Sequence, residues 1–254
     1  MFAQTIQQKF LSFVFRPKCF VCSESLQDNA KSRPDGNPAQ ICFDCLDAMQ
    51  DPLAIRCELC CAVLRQPSPF AGRCANCRDW KPKFENAVSI ANYCGVLRDT
   101  VVEIKRDFCD VKAYQLGLLL GEQFELLARI DDVDAVIAVP SHWRRRWSRR
   151  GFQPSDLLAD GFCKATGLTK MSNALKCVKF VEKQSRMLPG QRIKNVKKSF
   201  AVSRRANLKR LRVVLIDDVM TTGTTIDECA NVLLAAGATS VQVATAARSI
   251  GQGR

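Results

Sequence analysis

The stretch Val213-Val-Leu-Ile-Asp-Asp-Val-Met-Thr-Thr-Gly-Thr-Thr225 decides how this chain reads. It opens on four apolar residues in a row, the pattern of a strand buried on both faces of a parallel sheet. Asp217 and Asp218 follow, and then Thr221, Thr222, Gly223, Thr224 and Thr225 lead into an amphipathic segment. There Ile226, Cys229, Ala230, Leu233 and Leu234 recur at helical spacing. The spacing predicts a helix over 225–236 with one sheet-facing stripe and Gly237 as its stop. The start of such a helix offers unpaired N–H groups and the positive end of its dipole to an anion, with threonine hydroxyls alongside. Gly223 permits close approach of the backbone. Two acids just ahead of an anion site repel a nucleotide's phosphates, but they accept hydrogen bonds from the vicinal hydroxyls of a ribose. The expected ligand is a sugar phosphate. The stretch carries neither the G-x-x-x-x-G-K-[ST] of a P-loop nor the G-x-G-x-x-G of a dinucleotide fold. A threonine-rich helix cap with no ligand is the plainer alternative, and it leaves the acids, glycine and threonines unexplained as a set.

Outward from this loop, residues 211–217 and 241–245 read as buried strands on either side of the helix, which makes a βαβ unit. Residues 135–139 read as a further short strand that stops at Pro140. Residues 113–130 read as a helix, and 154–166 as another that begins on an N1 proline and ends before Gly167. The fold class expected is α/β with a parallel sheet, whose ligands sit beyond the carboxyl ends of the strands. The composition changes near residue 80, so the chain divides into a small cysteine-rich unit over 1–84 and an α/β unit over 85–254. With 254 residues and 47% apolar content, there is chain enough for one good core and one smaller unit.

Cysteine grouping defines the smaller unit. Of the 14 cysteines, eight form four C-x-x-C pairs: Cys19 and Cys22, Cys42 and Cys45, Cys57 and Cys60, Cys74 and Cys77. Each pair makes a knuckle that grips half of a tetrahedron, so two Zn²⁺ ions fit, and no C-x-x-C-x-x-C run suggests an iron–sulfur cluster. Disulfides would need an oxidising compartment, for which the opening residues supply no signal peptide. With little apolar material of its own, the segment depends on metal for its folding free energy. Pairing is sequential or interleaved. Cys61 is an odd neighbour, read as a free thiol or a competing ligand, and Cys94, Cys109, Cys163, Cys177 and Cys229 read as small apolar residues.

The charge is lopsided, 38 Lys and Arg against 25 Asp and Glu for a formal +13, which attracts polyanions. Arg144, Arg145, Arg146, Arg149 and Arg150 cluster after Pro140, interleaved with Trp143 and Trp147, which suit stacking on single-stranded bases or packing in a helix. A second basic block over 179–212 reads as a solvated linker or as a stretch that touches a polyanion. His142, the only histidine, reads most plainly as a loop histidine in solvent. No run reaches the roughly eighteen apolar residues of a membrane span, and Ile6, Phe10, Phe13 and Val14 suggest a small packed helix rather than an anchor. A cytoplasmic protein without a membrane span is expected.

Hydrophobic-x-hydrophobic-Asp-Asp-Val-x-Thr-Thr-Gly-x-Thr resembles the signature with which type I phosphoribosyltransferases bind 5-phosphoribosyl 1-pyrophosphate (PRPP). Val139-Pro-Ser, Arg149-Arg-Gly-Phe-Gln with Leu157-Leu-Ala, Gln184, and Gln191-Arg-Ile-Lys-Asn-Val-Lys-Lys-Ser-Phe200 look like the ComF group of competence-associated proteins, which includes the GntX-like proteins. The four C-x-x-C pairs and the stretch from Tyr93-x-Gly95 to Lys105 fit that group too. Gln153-Pro154 stands where the group usually has Asn-Gln, and Val181 where it usually has Thr. The resemblance implies a type I phosphoribosyltransferase domain behind a double zinc ribbon. It implies that PRPP, with Mg²⁺, meets Asp217, Asp218, Thr221, Thr222, Gly223, Thr224 and Thr225, while Ser141, His142 and Arg150 face the pyrophosphate. It also implies that the basic block over 179–212 contains a mobile lid that closes over PRPP and also touches a polyanion, and a role in DNA uptake, with single-stranded DNA and other uptake proteins such as a helicase as partners. A working nucleobase phosphoribosyltransferase of nucleotide salvage and a PRPP-sensing regulator are the other readings.

Overall fold

The computed structural model describes residues 17–26, 39–50, 53–64, 66–127, 132–142, 151–179 and 196–249. At the centre is a parallel sheet of four strands, β1 (Ala87–Asn92), β2 (Ala135–Ala138), β5 (Arg212–Met220) and β6 (Ser240–Arg248), in the order β1-β6-β5-β2. A short antiparallel pair, β3 (Leu175–Cys177) and β4 (Phe200–Val202), lies outside it. Five α-helices are described: α1 (Phe43–Met49), α2 (Gly95–Asp107), α3 (Asp110–Leu127), α4 (Pro154–Thr166) and α5 (Thr224–Ala235).

Alternation along the strands separates two cores. Val214 and Ile216 face a cluster that contains Leu97, Ile104, Leu116, Phe124, Leu158 and Phe162 of α2, α3 and α4. Val213 and Leu215 face Ile226, Cys229, Ala230 and Leu233 of α5. The stripe predicted for α5 is thus the buried one, with Leu234 half-buried at its margin. Helices α3 and α4 cross closely because glycines meet backbone: a Cβ at Gly117 would overlap the Leu158 carbonyl, and one at Gly161 would overlap the Tyr114 carbonyl.

The cysteine-rich segment packs onto both faces. Its first half, with Cys19, Phe20, Ile41, Cys42 and Met49, joins the core of α2, α3 and α4. It is tied there by Gln40 N–H donating to Gln115 Oε1 at 2.6 Å and Gln50 to Gln123 at 3.3 Å. Its second half, with Cys57, Leu59, Cys60, Ala62 and Cys77, joins the core under α5. That half also covers edge strand β1. Arg56 donates to the Ser89 and Ile90 carbonyls at 3.3 Å each, Ala87 N–H donates to Leu59 O at 2.9 Å, and Asn92 exchanges two hydrogen bonds with the Val63 backbone. An open edge is a template for unwanted pairing, and here the ribbon removes it.

Helix α4 lies where the sequence predicts it, with proline in its first turn and Gly167 at φ 72° closing it. Elsewhere the boundaries move. Strand β5 continues past Asp217 to Met220, because its pairing with β6 extends through Asp217↔Thr245, Val219↔Ala247 and Met220↔Arg248. Strand β6 is longer than 241–245 for the same reason, being paired with β1 on its other side. Helix α3 starts at Asp110 rather than 113, with that acid in its first turn, where the dipole favours it. The basic block is partly ordered structure rather than linker: Val196 and Phe200 are buried and β4 pairs with β3. Cys94 is exposed rather than packed. The N-terminal helix expected around Ile6 to Val14, Arg144 to Arg150 with Trp143 and Trp147, and residues 180–195 of the lid candidate over 179–212 lie outside the described residues.

Candidate PRPP site and metal centres

Strand β5 is central, and both of its neighbours in the sheet are parallel to it. Its carboxyl end and that of β2 therefore open on the same side, which brings Asp217 to Thr225 and Ser141 and His142 to one end of the sheet. Asp217 and Asp218 stand within the strand, not in the loop, so their side chains leave on opposite faces. Asp218 turns towards α2, where Lys105 Nζ meets its Oδ2 at 2.9 Å. Asp217 accepts the Asp218 N–H at 2.9 Å. Its carboxyl is half-buried by exposed surface but deeply embedded in protein. Burial, then the neighbouring Asp218 charge, pushes its pKa up to about 8, against the counter-pull of that N–H and of Lys105. Burial alone would lower the Lys105 pKa, but Asp218 and then Asp217 outweigh it and the ammonium is held more firmly. Lys105 is thus a third member of the acidic centre. The sequence contains it only as the end of a motif, since nothing local links α2 to β5.

Beyond Met220 the chain turns through exposed Thr221 and Thr222 into buried Gly223, the N-cap of α5 at φ 77°. The N–H groups of Thr221, Thr222 and Gly223 have no hydrogen-bond partner among the described residues. Thr222 and Thr224 share a hydroxyl–hydroxyl contact of 2.9 Å. Gly223 is required twice over, by its positive φ and by Trp80, whose ring occupies the space a Cβ would need. Trp80 stacks edge-on against Phe84 with ring centroids 5.4 Å apart, and Lys83 N–H donates to Asp227 Oδ1 at 2.6 Å. The outlet of the last cysteine knuckle therefore rests on the start of α5.

At the end of β2, the Ser141 N–H and hydroxyl each lie 3.4 Å from Gln153 Oε1, and Ser155 Oγ donates to Val139 O at 2.7 Å. The start of α4 thus pins this loop. His142, one reading of which put it in solvent, is buried, only three residues past buried Val139. Arg150 lies outside the described residues.

The eight paired cysteines gather sequentially into two sets, Cys19, Cys22, Cys42 and Cys45, and Cys57, Cys60, Cys74 and Cys77, with sulfurs within 4.8 Å of one another in each. A tetrahedral ion with Zn–S bonds of about 2.3 Å sets its sulfurs about 3.8 Å apart. The Cys22–Cys42 and Cys60–Cys74 sulfurs are 3.8 Å apart. In the second set, hydrogen bonds from Cys60 and Cys77 draw the Cys57 thiol down, while contacts with Cys57 and then Cys60 push Cys77 up. One thiolate is supported and a second is resisted, a balance that a divalent cation reverses. Both sets fit a metal ion. Cys61 stays outside, buried against the Ser89 carbonyl with Arg56 at 3.6 Å.

Residues 148–253 match the phosphoribosyl transferase domain family. The DNA utilization protein YhgH of Salmonella typhimurium is 31% identical over 80% of this chain and 88% of its own length. Competence protein F of Haemophilus influenzae is 28% identical over 71% of this chain and 80% of its own. Among solved structures, the Bacillus subtilis glutamine PRPP amidotransferase is 26% identical over 52% of this chain and 25% of its own, with a TM-score of 0.35. With a relative this similar along most of both chains, a phosphoribosyltransferase domain, and two four-cysteine sets ahead of it, the chain belongs to the ComF family, that of competence protein F and the DNA utilization protein YhgH.

Proposed function

We propose that this protein binds PRPP, accompanied by Mg²⁺, at the end of β5 and acts in DNA uptake in the cytoplasm by contacting single-stranded DNA. The observation that carries the reading is the pairing of two carboxylates with three unpartnered N–H groups at a glycine-capped helix start. Asp217 and Asp218 meet the ribose hydroxyls, and a carboxylate there balances the oxocarbenium-like charge that develops if the glycosidic bond breaks, once Asp217 has given up the proton it holds in the empty site. Thr221, Thr222, Gly223, Thr224 and Thr225 receive the 5-phosphate. Ser141, His142 and Arg150 meet the pyrophosphate, where bound Mg²⁺ supplies leaving-group stabilisation. Residues 1–84 form a unit held by one Zn²⁺ in each cysteine set, and 85–254 form the phosphoribosyltransferase-type unit. The DNA role is supported by the names of the two relatives and by the net charge of +13. Partners of the helicase type fit such a role.

Titration calorimetry with PRPP and Mg²⁺ tests the site. Asp217→Asn with Asp218→Asn is expected to abolish binding and leave zinc content unchanged. Intact affinity in that variant would remove the pocket assignment. Incubation with PRPP, Mg²⁺ and each common nucleobase separates binding from turnover, since release of a ribonucleotide would make the protein a salvage transferase.

A further inference from the structure

Arg248, the last residue of β6, is buried to 3% exposure beneath the phosphate loop. One terminal nitrogen of its guanidinium faces three carbonyl oxygens: Met220 at 2.9 Å, Ser249 at 2.5 Å, and Thr221. The β5–β6 ladder ends at Met220 and Arg248. Met220 O is therefore also held by the Ser249 N–H, but among the described residues Thr221 O has Arg248 alone. In a trans peptide the C=O and the following N–H point in opposite directions. Drawing the Met220 and Thr221 carbonyls inward onto Arg248 turns the N–H groups of Thr221 and Thr222 outward, and these are two of the three that lack a partner.

The charge is unbalanced as well. Among the described residues no carboxylate pairs with Arg248, and its Nε is buried without a hydrogen bond. Burying an unpaired cation is costly, and an unsatisfied buried donor adds to that cost. A residue serving only to close the end of two strands would be less expensive as a neutral donor. A bound dianion on the other side of the loop supplies the missing counter-charge across a single layer of peptide.

We propose that Arg248 is the positioning residue of the phosphate cradle, orienting the Thr221 and Thr222 amides and making the loop selective for a sugar that carries a 5-phosphate dianion. This rests on the PRPP reading above. The test compares the full zinc-loaded chain with Arg248→Met and Arg248→Lys by calorimetry, using PRPP, ribose 5-phosphate and inorganic pyrophosphate, with melting temperature as a fold check. Arg248→Met is expected to lose about tenfold or more in affinity for both sugar phosphates by the same factor, the scale of hydrogen bonds to a charged group, with pyrophosphate unchanged. Arg248→Lys is expected to fall between, and it carries the test alone if the methionine variant does not fold. Sugar phosphate affinities within twofold of wild type would overturn the proposal while leaving the PRPP reading intact. A uniform loss for all three ligands with a lower melting temperature would also overturn it, because that is a structural defect. A wild-type protein that binds neither sugar phosphate would remove the PRPP reading itself, and the proposal with it.

Discussion

Asp217 holds its proton because it is shut away from water beside another carboxyl. Its ordinary pKa is 3.8 and its folded value is about 8. Between those values the folded chain binds a proton that the unfolded chain does not, so stability falls as pH rises through that window. Replacing Asp217 with Asn removes this dependence. Asp217→Asn is therefore expected to melt at nearly the wild-type temperature at pH 4 and progressively higher up to pH 8, by about 2–4 °C for each kcal/mol relieved. Thermal denaturation of the ligand-free protein across that range checks it, and a gap between variant and wild type no wider at pH 8 than at pH 4 would contradict the burial of this group. The same residue supports a ligand at the expense of the empty protein, as binding residues commonly do. The acids and threonines were legible in the sequence because they are consecutive. Lys105 and Arg248 were not, because α2 and β6 reach β5 only through the folded sheet.

At the scale of elements, the joint between α3 and α4 depends on two glycines that let backbone touch backbone. Gly161→Ala inserts a methyl against the Tyr114 carbonyl, which a helix backbone cannot yield. Although alanine favours a helix over glycine by about 1 kcal/mol, overpacking costs about 1–3 kcal/mol, and the net change is expected to be destabilising. Denaturant unfolding measures it, and a stabilised variant would show that the helices separate freely. The helix over 154–166 was readable from its proline and glycine. Strand β1 was not: Ala-Val-Ser-Ile-Ala-Asn carries polar Ser89 and Asn92, whose purposes appear only in the fold. Ser89 meets Thr245 of β6 hydroxyl to hydroxyl at 2.8 Å, and Asn92 ties the ribbon at Val63.

Across the whole molecule, the two cysteine sets belong to the cores on opposite faces of one sheet. Metal analysis is expected to find two zinc ions per chain. Because the second set shares its core with Met220 and Ile226 and its outlet places Trp80 on Gly223, strong chelation is expected to weaken PRPP binding as well as melt the ribbon. One ion per chain, or PRPP affinity that survives complete zinc removal, would contradict that coupling. Single-strand affinity is expected to fall linearly with salt on logarithmic axes, with a slope of about −0.7 per phosphate neutralised. Arg145→Ala with Arg146→Ala should flatten the slope. Trp143→Ala or Trp147→Ala should weaken binding at every salt concentration and leave the slope alone, because stacking releases no counterions. Affinity independent of salt would confine the positive charge to the sugar phosphate or to solubility.

The sequence by itself determined what depends on neighbours along the chain: the apolar run of β5, the acid pair and threonine-glycine turn behind it, the stripe of α5, and the four C-x-x-C pairs. Only the tertiary structure decided how far β5 extends, since its last residues are strand by virtue of pairing with β6. It also decided that the cysteines gather sequentially, that the ribbon covers β1, and that Lys105, Trp80 and Arg248 converge on the end of β5 and the turn behind it from α2, the last knuckle and β6. The reason is physical. Periodicity and turn chemistry are short-range, whereas a carboxylate's counter-ion, a glycine's neighbour and a carbonyl's donor are set by which elements the sheet brings together.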